Sequence, residues 1–135
     1  MKLALSSMVL LACAVAVGAC GSQEIKVAKT SPYYSGAVLF RNHCSGCHTL
    51  EAVGAKGSAT SISNRVKTNG PNFNIRKENV EQVLYAIRNG GFSGAIMPQN
   101  IVVGPEAQAL AVFLAAYSGR QAQKVPSTSI TLSTK

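Results

Sequence analysis

Aspartate is missing from the chain altogether, and only five glutamates stand against thirteen lysines and arginines. A formal charge of +8 admits nucleic acid, anionic lipid or an acidic protein as partner. A second absence argues against nucleic acid: there is no consecutive basic run and no aromatic stacking motif. The scattered cations equally suit a plain solvated face that keeps a protein soluble. No second cysteine pair accompanies Cys44 and Cys47. His43, Cys44, Cys47 and His48 crowd too closely to close the tetrahedron of a zinc module. No strand precedes this Cys-x-x-Cys and no βαβ pattern surrounds it, which excludes a thioredoxin-type dithiol. The one long apolar run, Leu3 to Val17, is too short and wrongly flanked for a spanning helix.

That run follows Met1-Lys2 and ends in Val17-Gly18-Ala19-Cys20, small residues before a cysteine. The pattern is a secretory signal peptide over residues 1–19. Its last four residues resemble the lipobox of bacterial lipoproteins, which implies that Cys20 becomes the lipidated first residue of the mature chain. The alternative is ordinary cleavage after Ala19 or near Ala14, leaving a soluble protein. Without the leader, 12 Lys and Arg against 5 acids leave a charge of +7. Export places the protein on the periplasmic or extracytoplasmic side, held to the membrane by its lipid. Residues 20–31 read as the lipidated cysteine and a flexible tether, with about 15–20 Å of mean reach. With Cys13 in the leader and Cys20 acylated, only Cys44 and Cys47 remain free, so no disulfide framework forms.

Those two belong to Cys44-Ser45-Gly46-Cys47-His48, the attachment sequence for c-type haem. On a turn of helix this spacing sets both thiols on one side, where each can add to a haem vinyl group. His48 then offers an imidazole nitrogen to the iron, and a sixth ligand of Met raises the reduction potential. Met1 and Met8 leave with the leader, so Met97 is the only methionine of the mature protein. It stands in a Gly-flanked loop before Pro98, which biases it to extended backbone. That is an awkward place for a core filler, and Met97 is the expected sixth ligand.

The 135 residues leave room for one small domain. Ser31-Pro32 is a helix start, with a helix over Tyr33 to Asn42. Thr49 to Asn69 reads as a long loop wrapped around something. Lys77 to Asn89 is an amphipathic helix, with Val80, Val83, Leu84 and Ile87 on one face and a stop at Asn89-Gly90-Gly91. Gly104-Pro105-Glu106 opens a last apolar helix that ends at Ser118-Gly119. Residues 120–135 read as a disordered tail.

Gly36 to Cys44 resembles the N-terminal helix of class I cytochromes c. The resemblance covers about residues 32–119 and adds Gly70-Pro71, Met97-Pro98 and an aromatic C-terminal helix in the family's order. It implies an all-α fold of three to four short helices and long loops wrapped around one covalent haem c. Gly36 and Phe40 would pack against the C-terminal helix, and glycine mid-helix suits such a close approach. Pro71 would lend its carbonyl to the Nδ1–H of His48, fixing the imidazole's tautomer and donor strength. So short a chain with a long loop makes a thin core, and the haem-free protein is expected to be largely unfolded.

The function expected is that of a lipid-anchored, single-haem electron carrier, not an enzyme, with His48 and Met97 on the iron. Its basic surface would steer encounter with acidic redox proteins, such as a respiratory complex or terminal oxidase domain. Two alternatives stay open. The chain could be a haem-c subunit of a larger oxidoreductase, or a haem protein that answers to gas or peroxide at an open sixth position.

Overall fold

The computed structural model describes residues 24–92 and 96–121. Three helices carry it: α1 (Tyr34–His43), α2 (Val80–Asn89) and α3 (Gly104–Tyr117). A two-residue hairpin, β1 (Thr49–Leu50) and β2 (Ala55–Lys56), pairs antiparallel with Thr49 opposite Lys56. Helix α3 lies at the centre and packs on both α1 and α2. The core is Phe40 and Ala37 from α1, Leu110, Ala111, Phe113 and Leu114 from α3, and Val83 and Ile87 from α2, with Leu50 and Val53 beneath them.

The crossing of α1 and α3 depends on Gly36. A Cβ there would stand 2.4 Å from the Ala109 carbonyl oxygen and 2.5 Å from Phe113 Cβ. No side chain fits in that gap. One turn on, the rings of Phe40 and Phe113 meet edge to face at 6.2 Å, a favoured aromatic arrangement. The expected packing of Gly36 and Phe40 against the last helix is therefore present in this fold.

Helix boundaries differ from the sequence expectation for local reasons. Ser31 and Pro32 form a turn before α1 and do not cap it. The Ser31 carbonyl accepts the Tyr34 N–H at 3.0 Å, and Ser31 Oγ accepts that of Tyr33 at 3.2 Å. Tyr33 is left at the helix entrance with its ring edge-on to Tyr117. Helix α2 starts at Val80, the first residue of its apolar stripe and three residues after the expected start at Lys77. Asn79 and Gln82 form a reciprocal cap there, Gln82 N–H to Asn79 Oδ1 at 2.8 Å and Asn79 N–H to Gln82 Oε1 at 2.9 Å. The preceding residues serve tertiary contacts instead. Glu78 is buried, its N–H donates to Ser118 Oγ at 3.0 Å, and its carboxylate pairs with Arg76 at 2.5 Å.

The packed domain is also longer at both ends than residues 32–119. Part of the expected tether is bound to it. Val27 is buried, the Lys26 N–H donates to the Ala52 carbonyl at 2.8 Å, and Lys26 Nζ meets Glu51 at 2.5 Å. Two apolar residues among polar neighbours are too few to show a pattern in sequence. Past α3, Gly119 and Gln121 donate their N–H groups to the carbonyls of Phe73 and Asn74. Gln121 Nε2 reaches the other oxygen of Glu51 at 2.5 Å. Glu51 thus clasps the two ends of the domain together. The expected leader (residues 1–19), Cys20 and residues 122–135 lie outside the described residues.

Candidate functional site

After α1 the chain makes one more helical turn. The N–H groups of Cys47 and His48 both reach the Cys44 carbonyl, at 3.2 and 3.0 Å, while Ser45 Oγ donates to the Arg41 carbonyl at 2.6 Å. This turn brings Cys44, Cys47 and His48 to the wall of one cavity of about 850 Å³. Its floor is apolar, with Phe40, Phe73, Val83, Ile87, Leu110 and Leu114 drawn from all three helices and the central loop. Pro71 and Met97 line the same cavity. Residues spread over more than fifty positions of sequence are therefore brought together, and only Cys20 among the expected site residues falls outside the described chain.

The imidazole of His48 is held by three contacts. Its Nδ1 lies 3.2 Å from the Pro71 carbonyl oxygen, so a proton on Nδ1 is donated there and Nε2 is left as the basic nitrogen. The ring of Phe73 stacks on it at 4.8 Å and 18°. Gly70 lies against it so closely that a Cβ would come within 2.3 Å of Cε1. Burial pushes the His48 pKa down, the Pro71 bond opposes this, and the Arg76 charge adds to the lowering. The ring is thus biased to its neutral, ligating form.

Burial and the neighbouring Cys47 push the Cys44 thiol up to about 12. As a free thiol in the folded domain it is a poor nucleophile.

Sequence reasoning gives no role to Gly57 and places Gly70 only as the residue before Pro71, yet both build this wall. A Cβ on Gly57 would stand 2.6 Å from Cys47 N, the Gly46 carbonyl carbon and the Ser45 oxygen. The Gly57 N–H donates to the His48 carbonyl at 3.1 Å, and that of Gly70 to the Cys47 carbonyl at 2.6 Å. Thr49 and Ser58 exchange two bonds of 3.0 Å between side-chain oxygens and backbone N–H groups. The long loop therefore wraps the attachment turn itself. Gly57 and Gly70 stand in and just after the long loop of residues 49–69, but nothing in the sequence marks which of them touches what.

These residues fit a covalently held haem. Two thiols stand one helical turn apart, an imidazole has one nitrogen occupied and one free, a thioether shares the cavity, and the lining is predominantly apolar. Arg65, Lys67 and Arg76 line it as well and would suit the carboxylates of such a group. No curated protein and no solved structure matches the chain. The family model described as Cytochrome c matches residues 34–118, well over half the chain, from the first residue of α1 to the residue after α3. The protein belongs to the cytochrome c family, whose members carry covalently attached haem c and transfer electrons.

Proposed function

We propose that this protein is a membrane-anchored carrier that moves single electrons between respiratory redox partners, in which Cys44 and Cys47 would attach the haem and His48 and Met97 would ligate its iron. The observation that carries the reading is the shared cavity, which draws its lining from the Cys44–His48 turn, from Pro71 and from Met97. When bound, haem supplies the ferric–ferrous couple. The chain's own residues do the rest. His48 presents Nε2 because Pro71 occupies Nδ1. Met97 supplies a thioether, a ligand that favours the ferrous state and raises the potential. The apolar floor excludes water. The lipid on Cys20 confines the domain to the membrane surface on the extracytoplasmic side, and its excess of cations speeds encounter with acidic partners.

The deciding measurement is an absorption spectrum of the mature holoprotein, ferric and ferrous, with and without carbon monoxide. A low-spin spectrum with the methionine–iron charge-transfer band, unmoved by carbon monoxide, is expected. A high-spin spectrum or rapid carbon monoxide binding would overturn Met97 ligation and favour gas or peroxide chemistry. Steering has its own check. Electron exchange with an acidic partner should slow steeply as salt rises, and a flat dependence would sink that part. Anchoring is read from membrane fractionation of the wild type against Cys20→Ser.

A further inference from the structure

A helix end leaves its last carbonyls without partners inside the helix. At the end of α2 two of those carbonyls, of Ile87 and Asn89, are taken by the loop that carries Met97, while Gly90 and Gly91 donate to that of Ala86. The Asn100 N–H donates to the Ile87 carbonyl at 2.7 Å, and Gln99 Nε2 reaches the Asn89 carbonyl at 3.4 Å. Two backbone conformations make this docking possible. Gly90 caps α2 at φ 73°, and a Cβ there would come within 2.7 Å of the Met97 carbonyl oxygen. Asn100 has φ 53°, the one positive φ at a non-glycine among the described residues. Asparagine tolerates that conformation better than other side-chain-bearing residues, though not as freely as glycine. Such backbone persists where its surroundings hold it, and it concentrates at functional sites.

We propose that Gly90 and Asn100 are positioning residues for the sixth ligand. Gly90 lets the Met97 main chain lie directly on the helix end. Asn100, turned to positive φ and bonded to Ile87, reverses the chain after Pro98 and fixes Met97 in the cavity wall. The inference rests on the reading of Met97 as a ligand. Its consequence is that the strength of Met97 ligation is governed by two residues that do not themselves bind the iron.

The test uses the holoprotein with Asn100→Gly, Asn100→Ala, Asn100→Pro and Gly90→Ala. Three quantities are read: the charge-transfer band, the carbon monoxide association rate and the unfolding midpoint. Asn100→Gly, which keeps the N–H and adopts positive φ freely, should match the wild type. Asn100→Ala should bind carbon monoxide about tenfold faster, the ratio that the left-handed penalty on an ordinary residue implies. Asn100→Pro and Gly90→Ala should lose more of the band. Either of these two could also impair folding, so the exposed Gly/Ala pair at position 100 decides. Equal carbon monoxide rates and full bands in that pair would overturn the positioning role and leave Met97 ligation standing. A wild type without the band would overturn the ligation reading itself, and this inference with it.

Discussion

On the histidine side of the cavity, the attachment turn is wedged between Gly57 and Gly70, roofed by Phe73 and tied by backbone bonds from both glycines. On the methionine side, a short loop rests on the end of one helix through Asn100 and Gln99. The first arrangement has no spare volume, and any displacement must move main chain. The second depends on one backbone hydrogen bond, one long side-chain bond and two special dihedrals. A cofactor fixed by two covalent bonds and a rigid imidazole can tolerate a lightly held sixth ligand. On the proposed ligation by His48 and Met97, this difference puts the start of ligand exchange at Met97, before His48.

Removing the haem is the strongest way to challenge this contrast. Cys44→Ala with Cys47→Ala prevents attachment and leaves a cavity of about 850 Å³ among the side chains of all three helices. The expected result is loss of the cooperative unfolding transition and most of the helicity by circular dichroism, since a domain this small has only about 5–15 kcal/mol to lose. A haem-free protein with native helicity and a sharp transition would show that the histidine side is rigid by itself.

Phe40→Ala comes next. That ring touches the rings of His48, Phe73 and Phe113, and its truncation should cost about 3–5 kcal/mol in denaturant unfolding of the holoprotein. Gly70→Ala should cost about 1–3 kcal/mol by overpacking and should also shift the reduction potential, because the added methyl presses on the His48 ring. An unchanged potential with unchanged stability would mean that the histidine side yields as readily as the methionine side.

The smallest effect concerns the clasp at the termini. A hydrogen bond from Lys26, then its charge, and less strongly Gln121, hold the Glu51 carboxyl below its usual range. A depressed folded pKa contributes stability that is present above the ordinary carboxylate value of about 4.3 and is lost as pH falls through the folded value. Acid unfolding of Glu51→Gln should therefore begin slightly earlier than that of the wild type, with the two differing little in acid below both values. Coincident acid curves throughout would show that the clasp adds nothing.

Much of the site was legible without a structure because its chemistry is local. Cys44, Cys47 and His48 are separated by the spacing that one helical turn demands, and Met97 stands out as the one methionine beyond residues 1–19. Helix positions followed from apolar periodicity, and the end of α2 and both bounds of α3 from their Gly and Pro signals, but the start of α2 did not. The start of α2 at Val80 goes with the burial of Glu78, whose N–H bonds to Ser118 Oγ, a contact forty residues away in sequence. The binding of Lys26 and Val27 to the domain was hidden for the same reason.

By itself, then, the sequence determined the cofactor's attachment, the order of the helices and the candidate ligands, since each depends on residue type and on spacing within a turn or two. Only the tertiary structure decided which glycines wall the attachment turn. Gly36 at a helix crossing and Gly90 at a helix stop were readable from their positions, but the roles of Gly57 and Gly70 come from what the rest of the chain places against them: the Cys47 backbone and the His48 ring. A residue without a side chain carries no pattern of its own, so its function is written in its neighbours.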